Sequence, residues 1–156
     1  MKVSISIALL FQTLFSYGQL IQKETVQSLY IELYKDSMPL GSGTGFIIKS
    51  KTKNYLVTNY HVLTNKNPIT GQWLDPKIPI APNRIAIIQN GNKLGDHVIK
   101  WERLLDNSGK PLWYENTINK EMVDVVELPL LDTTGIALYP ISYNNIAPDS
   151  FAIAPT

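Results

Sequence analysis

The stretch NYLVTNYHVLTN, residues 54–65, places a histidine at the end of an apolar run that is typical of a β-strand. Polar, turn-forming segments bound this run on both sides, KTKN before it and TNKNP after it. His61 is one of only two histidines in the chain. We predict that a strand carries His61 to its end. A lone histidine at such a position is more often structural than catalytic, so a catalytic role requires a partner.

Runs of the same kind, separated by turn residues, continue on both sides of this stretch. The six predicted strands are TVQSLYIELYKD, TGFIIKS, YLVTNYHV, RIAIIQN, DHVIKWERLL and VDVVELPLL. MPLGSG, residues 38–43, is predicted to be a turn, and only a short helix near residues 22–28 is expected. This pattern predicts an all-β chain, an antiparallel six-stranded β-barrel over residues 19–131.

The two ends of the chain differ from this barrel. Residues 1–18 have the pattern of a secretory signal peptide, with Lys2, the apolar run VSISIALLFQTLF and small residues before a cleavage site near Gly18 and Gln19. The run is too short and too polar to favour a membrane anchor. We therefore expect a secreted or periplasmic protein. Residues 132–156 are predicted to be a connector that leads out of the barrel.

Composition and charge exclude several classes of function. The chain has 14 basic and 13 acidic residues, and loss of residues 1–18 removes only Lys2, which leaves 13 of each. A net charge of zero gives no electrostatic basis for binding nucleic acid or, after signal cleavage, a membrane. The absence of cysteine excludes disulfides and thiolate chemistry. We expect no metal or cofactor, and we expect the three tryptophans to be packing residues.

The segment GSGTGFII, residues 41–48, allows two interpretations. Alternate glycines occur in phosphate-binding loops, but such loops need a lysine or a helix after the last glycine, and here Phe46 and a strand follow. The better interpretation is structural: the glycines let the backbone bend and let neighbouring segments approach closely.

Asp124 is the candidate partner of His61. It lies between Val123 and Val125 in a strongly apolar strand, where an ionised carboxylate is costly unless it is hydrogen-bonded. An imidazole N–H is one suitable donor, because the carboxylate then fixes the tautomer of the ring. The alternative is an aspartate that caps a turn or points to solvent, and burial arguments alone do not separate the two.

In this order, GSGTGFII, YLVTNYHVL and VDVVELPL resemble the first half of trypsin-like serine peptidases of the chymotrypsin fold. NSGKPLWYEN, residues 107–116, is similar to a bacterial secreted branch of that family. The resemblance covers residues 25–131 and implies a serine endopeptidase that hydrolyses protein or peptide substrates through a His-Asp-Ser triad. It implies that His61 is the general base and that Asp124 orients it.

The sequence departs from that family where the nucleophile is expected. No glycine-rich loop surrounds Ser108, Ser142 or Ser150, so the chain supplies no nucleophilic serine and no oxyanion hole. We therefore expect a fragment that is inactive alone, with a second barrel in cis. His97, next to Asp96, is predicted to be a surface or strand-edge residue. The alternatives are a non-catalytic secreted β-barrel binding module, and a structural β-domain in which the motif order is fortuitous.

Overall fold

The structure, a computed structural model, describes residues 23–93 and 95–142. The predicted signal peptide, residues 1–18, and residues 143–156 of the predicted connector lie outside the described residues. Over the described ranges, the longest helices are far too short to cross a bilayer, and none qualifies as a membrane span.

The described residues form a seven-stranded sheet in which every ladder is antiparallel. The strands are β1 (Ser28–Lys35), β2 (Met38–Lys49), β3 (Asn54–Thr58), β4 (Arg84–Asn90), β5 (His97–Arg103), β6 (Tyr114–Ile118) and β7 (Glu121–Pro129). Their order across the sheet is β5-β4-β1-β2-β3-β7-β6. A 3-10 helix (Lys23–Val26) precedes β1, and a short helix α1 (Tyr60–Thr64) follows β3. The prediction of an antiparallel all-β fold is confirmed.

One face of this sheet forms the hydrophobic core. Side chains alternate between the two faces of a strand, so every second residue of the central strands is buried on the same side. The fully or almost fully buried residues of this side are Leu29, Ile31, Ile47, Leu56, Ile85, Ile87, Val126 and Leu128. Leu63 of α1 is also fully buried, which means that the helix covers one end of the core.

The prediction of a closed six-stranded barrel is wrong in two respects. The sheet has seven strands, and its end strands β5 and β6 are not hydrogen-bonded to each other. Contacts outside the ladders instead link β5 to the segment that follows β7. Lys100 Nζ lies 2.7 Å from Asp132 Oδ2, and the Leu131 N–H donates to Glu102 Oε1 at 3.3 Å. Contacts of the Lys100 and Glu102 side chains, rather than the hydrogen bonds of a ladder, therefore join β5 to the segment after β7.

Strand β6 was not predicted, because its sequence YENTI is polar and mostly exposed. It pairs with β7 through a two-residue turn in which Asn119 and Lys120 both have positive φ, at 54° and 69°. Positive φ at both central positions is the type I′ arrangement that joins adjacent strands. Lysine stands where glycine is usual in this turn, so the local sequence signal is weak.

The β1–β2 hairpin also differs from the prediction. MPLGSG belongs to β2, and the turn lies at Asp36 and Ser37, since Lys35 pairs with Met38. Asp36 has a φ of 55°, and its N–H donates to Asn83 Oδ1 at 2.8 Å. This contact with a distant loop stabilises a turn that the local sequence did not indicate.

The described part of the predicted connector, residues 132–142, contacts the sheet. The Ala137 N–H donates to the Asn90 carbonyl and the Ile141 N–H to the Ile47 carbonyl, each at 2.9 Å. Gln27 Nε2 donates to the Pro140 carbonyl at 3.2 Å. The domain boundary at residue 131 stays a prediction.

Candidate functional site

Strand β3 ends before His61, which therefore lies in a short helix and not in a strand. Thr58 is the last residue of β3, and its buried hydroxyl donates to the Thr44 carbonyl at 2.7 Å. The chain then enters α1, which ends at Asn65 with a φ of 56° and a hydrogen bond from Asn65 N–H to the His61 carbonyl. The predicted strand YLVTNYHV is therefore wrong after Thr58. Five residues are too few for a helical period to be visible in the sequence.

Asp124 extends the row of core residues on β7. Val126 and Leu128 point into the core, and Asp124 occupies the next position of that alternating row, at the end of the sheet where α1 lies. The carboxylate therefore faces the helix and not the solvent side of the strand. Alternation along the strand explains why an aspartate stands among valines.

Three donors hold the Asp124 carboxylate. The backbone N–H of His61 donates to Oδ1 at 3.0 Å, and the His61 ring nitrogen Nδ1 lies 2.5 Å from Oδ2. Asn59 Nδ2 donates to the Asp124 carbonyl at 2.8 Å and to Oδ2 at 3.3 Å. An ionised carboxylate only accepts hydrogen bonds, so Nδ1 carries a proton in this arrangement. The structure thus brings His61 and Asp124 together, whereas their roles as base and orienting residue stay predictions.

Asn59 is a residue of this site that the sequence analysis missed. It occupies the N-cap position of α1 in extended conformation, yet its side chain makes no capping hydrogen bond. Its amide binds Asp124 instead, and the Asp124 carboxylate accepts the helical N–H of His61. A residue on β7 therefore supplies the acceptor that an N-cap side chain usually supplies. The sequence analysis placed Asn59 inside a predicted strand, YLVTNYHV, so it gave Asn59 no role in the site.

Two glycines of GSGTGFII create the space that this site needs. A Cβ on Gly43 would lie 2.7 Å from Cγ1 of Val62, the residue after His61. A Cβ on Gly45 would lie 2.7 Å from the Val57 carbonyl oxygen in the neighbouring strand. Both distances are shorter than real carbon contacts permit, so α1 and β3 approach β2 only because glycine stands there. The structural interpretation of these glycines is confirmed.

The His61–Asp124 pair remains accessible to solvent. The side chains of His61 and Asp124 are 40% and 35% exposed. Among the described residues, Asp124 is the hydrogen-bond partner of the ring through Nδ1, and no protein group occupies Nε2. In the neutral imidazole, a proton on Nδ1 leaves Nε2 with a free lone pair that can accept a proton from a group brought to it.

Of the candidate serines, Ser108 and Ser142 lie in the described part of the chain, and neither is hydrogen-bonded to this ring there. Ser108 lies in the turn before β6, and its hydroxyl donates to Asp106 Oδ1 at 2.7 Å. That hydrogen bond, with the neighbouring backbone N–H groups, lowers the pKa of Asp106. Ser142 is exposed at the end of the described residues, and Ser150 lies outside them. Ser108 is therefore a turn-stabilising residue.

The second histidine is remote from this arrangement. His97 is the exposed first residue of β5, an end strand of the sheet, as predicted. Within residues 23–93 and 95–142, His, Asp and Glu side chains form no group of three that could hold a metal ion. Candidate chemistry in the described part of the chain thus centres on His61 and Asp124.

Comparison with known proteins adds no relative to this description. No protein-family model matches the chain, and neither the curated proteins nor the solved structures contain a match to it. Any functional assignment therefore rests on the geometry around His61 and Asp124.

Proposed function

We propose that this chain is the histidine- and aspartate-bearing half of an exported trypsin-like serine endopeptidase. The observation that carries the proposal is the contact between His61 Nδ1 and Asp124 Oδ2, at 2.5 Å, with the opposite ring nitrogen unoccupied in the described structure. The motif order GSGTGFII, YLVTNYHVL, VDVVELPL supports the same assignment.

The arrangement suits general acid–base catalysis. Asp124 holds the proton on Nδ1, so Nε2 accepts the proton of a serine hydroxyl as the oxygen attacks a peptide carbonyl. The imidazolium that forms is stabilised by the carboxylate beside it. His61 then returns the proton to the leaving amine, and the peptide C–N bond breaks. Water repeats the cycle on the acyl-enzyme and regenerates the serine.

In this proposal, the serine and the oxyanion hole belong to a second barrel in cis. In the described part of the chain, no serine hydroxyl reaches the His61 ring. The described residues by themselves are therefore expected to lack acyl-transfer activity, because no activated nucleophile is present. The expected substrates are proteins or peptides.

The test is covalent labelling of the product recovered from the cells that make it. A fluorophosphonate reacts with a serine that an adjacent base has activated, so we expect labelling of the natural product and loss of labelling in His61→Ala. His97→Ala is the matched control, since it removes the other histidine of the chain and should leave labelling intact.

Peptide mapping of the labelled product by tandem mass spectrometry then tells where the serine lies. Attachment to a serine beyond residue 156 supports the proposal, whereas attachment to Ser108, Ser142 or Ser150 would contradict it. Labelling that survives His61→Ala would overturn it. A folded product that takes no label would favour the alternative, a non-catalytic secreted binding module.

A further inference from the structure

A second candidate site lies on the outer face of the sheet, beside the β1–β2 hairpin. It is a cleft of about 540 Å³ lined by Asp36, Ser37, Asn83, Arg84 and Arg103. None of these residues belongs to the His61–Asp124 site, so this cleft is independent of the proposed peptidase function.

The chain has only two arginines, and the fold places them opposite each other. Arg84 opens β4 and Arg103 ends β5, and the two are paired across the ladder. Like charges directly opposite in an antiparallel pair destabilise a sheet. In the described structure, neither arginine forms a salt bridge with a carboxylate. The free protein thus keeps an unfavourable charge pair that a bound anion would neutralise.

Aromatic rings hold Arg84 in position. Its guanidinium carbon lies 4.5 Å from the ring centroid of Trp101 and 5.8 Å from that of Tyr34. The two rings are themselves 5.0 Å apart. Trp101 was predicted to be a packing residue, and it packs against Tyr34 and Arg84 while its side chain stays 50% exposed. A guanidinium stacked in this way is pre-organised for two-point recognition of a carboxylate or phosphate.

The other lining groups leave the arginines free to bind an anion. The one carboxylate of the lining, Asp36, accepts a hydrogen bond from Asn83 Nδ2 at 2.7 Å and forms no salt bridge with either arginine in the described structure. Arg103 makes one hydrogen bond, to Asn107 Oδ1 at 3.0 Å. The Nε atom of Arg84 is buried and has no partner in the described structure.

From this geometry we propose that the cleft binds a carboxylate side chain on an extended peptide segment of a partner protein. The carboxylate would lie between Arg84 and Arg103. Two exposed apolar side chains lie farther along the same outer face, Tyr30 at 47% exposure and Ile99 at 56%, beyond Glu32, whose carboxylate accepts the Tyr34 hydroxyl at 2.8 Å. They would contact apolar side chains that flank the acidic residue. Charge complementarity and this apolar row favour a peptide over a free anion.

The test uses the full chain immobilised and two peptide pools. Both pools contain twelve-residue peptides with randomised flanks, one with two central glutamates and one with two central glutamines. We expect selective retention of the glutamate pool. For the peptides that are retained, Arg103→Gln should weaken binding by roughly tenfold or more, because a hydrogen bond to a charged group is lost.

Matched variants separate a binding role from a structural one. Lys51→Gln/Lys53→Gln removes two charges at the exposed β2–β3 turn, at the other end of β2, and should leave retention unchanged. Arg103→Gln should leave the melting temperature unchanged or raise it, because it removes the like-charge pair. Arg84→Lys keeps the charge but loses the planar fork, so it should also weaken binding.

Three outcomes would overturn the proposal. The first is equal retention of the glutamate and glutamine pools. The second is affinity that Arg103→Gln leaves unchanged. The third is competition by inorganic phosphate or a short single-stranded oligonucleotide at lower concentration than the peptides, which would assign the cleft to phosphate.

Discussion

Replacement of Asp124 by asparagine tests the central contact without requiring enzymatic activity. All three partners of the carboxylate are donors: the His61 N–H, the His61 Nδ1–H and the Asn59 amide. An asparagine side chain offers one acceptor oxygen and one NH₂ group. In either orientation, its NH₂ group faces a donor. If the asparagine oxygen keeps the hydrogen bond from the His61 N–H, the asparagine NH₂ group faces Nδ1 of the ring. Nδ1 must then accept a hydrogen bond, so the ring proton has to move to Nε2.

The magnitude follows from the number of contacts and their exposure. A hydrogen bond to a charged group contributes about 1.5–3 kcal/mol. The His61 and Asp124 side chains are 40% and 35% exposed, so solvent screening favours low values for both contacts. We expect Asp124→Asn to lose roughly 2 kcal/mol in total. For a chain of this size, this lowers the melting temperature by about 6 °C.

Two assays check this prediction. Thermal unfolding of Asp124→Asn is compared with Glu121→Gln, which neutralises an exposed carboxylate at the start of the same strand. Long-range ¹H–¹⁵N spectra of the neutral imidazoles report which nitrogen of His61 is protonated, and the exposed His97 is the internal reference. We expect Nδ1–H in the native protein and Nε2–H in the variant. An unchanged His61 tautomer together with an unchanged melting temperature would contradict this prediction.

Three further predictions concern the packing and charges around the sheet. Gly43→Ala should lower the free energy of unfolding by roughly 1–3 kcal/mol, because the added methyl group overpacks against Val62. In urea unfolding, Val62→Ala should therefore destabilise the Gly43→Ala variant less than it destabilises the native protein. Asn59→Ala should lose about 1 kcal/mol and speed hydrogen exchange of the His61 amide, because Asp124 loses a donor. Burial raises the pKa of Glu102 above its ordinary value of 4.5. The contribution of Glu102 to the free energy of unfolding is thus full below pH 4.5 and is lost as pH rises through the folded-state pKa. As pH rises through this range, the stability of Glu102→Gln should therefore increase relative to that of the native protein.

Each of these three has a contrary result. Additive losses in the Gly43→Ala/Val62→Ala double variant would show that the two side chains do not collide. Exchange at the His61 amide that Asn59→Ala leaves unchanged would show that the amide does not hold Asp124. A constant stability difference between Glu102→Gln and the native protein from pH 4 to 8 would show that Glu102 does not titrate differently on folding.

Much of the fold was predictable because the strands carry local signals. Arg84–Asn90 is predicted to its ends, and β1, β3, β5 and β7 follow from runs of β-branched and apolar residues. Strand β6 and the turn at Asp36 were not predictable in this way. The polar sequence YENTI pairs only because β7 lies beside it, and the Asp36 turn depends on Asn83, 47 residues away.

The antiparallel all-β class, the glycines needed for close packing, and His61 and Asp124 as candidate site residues were all evident in the amino-acid sequence. These follow from side-chain chemistry and from periods of two residues along a strand. The folded chain was needed to show that the sheet stays open between β5 and β6, that His61 lies in a helix, and that Asn59 binds Asp124. Those features depend on groups up to 65 residues apart that meet only after folding, so no local pattern encodes them. The pairing of the two arginines across β4 and β5 belongs to the same class, because it depends on the register of a ladder.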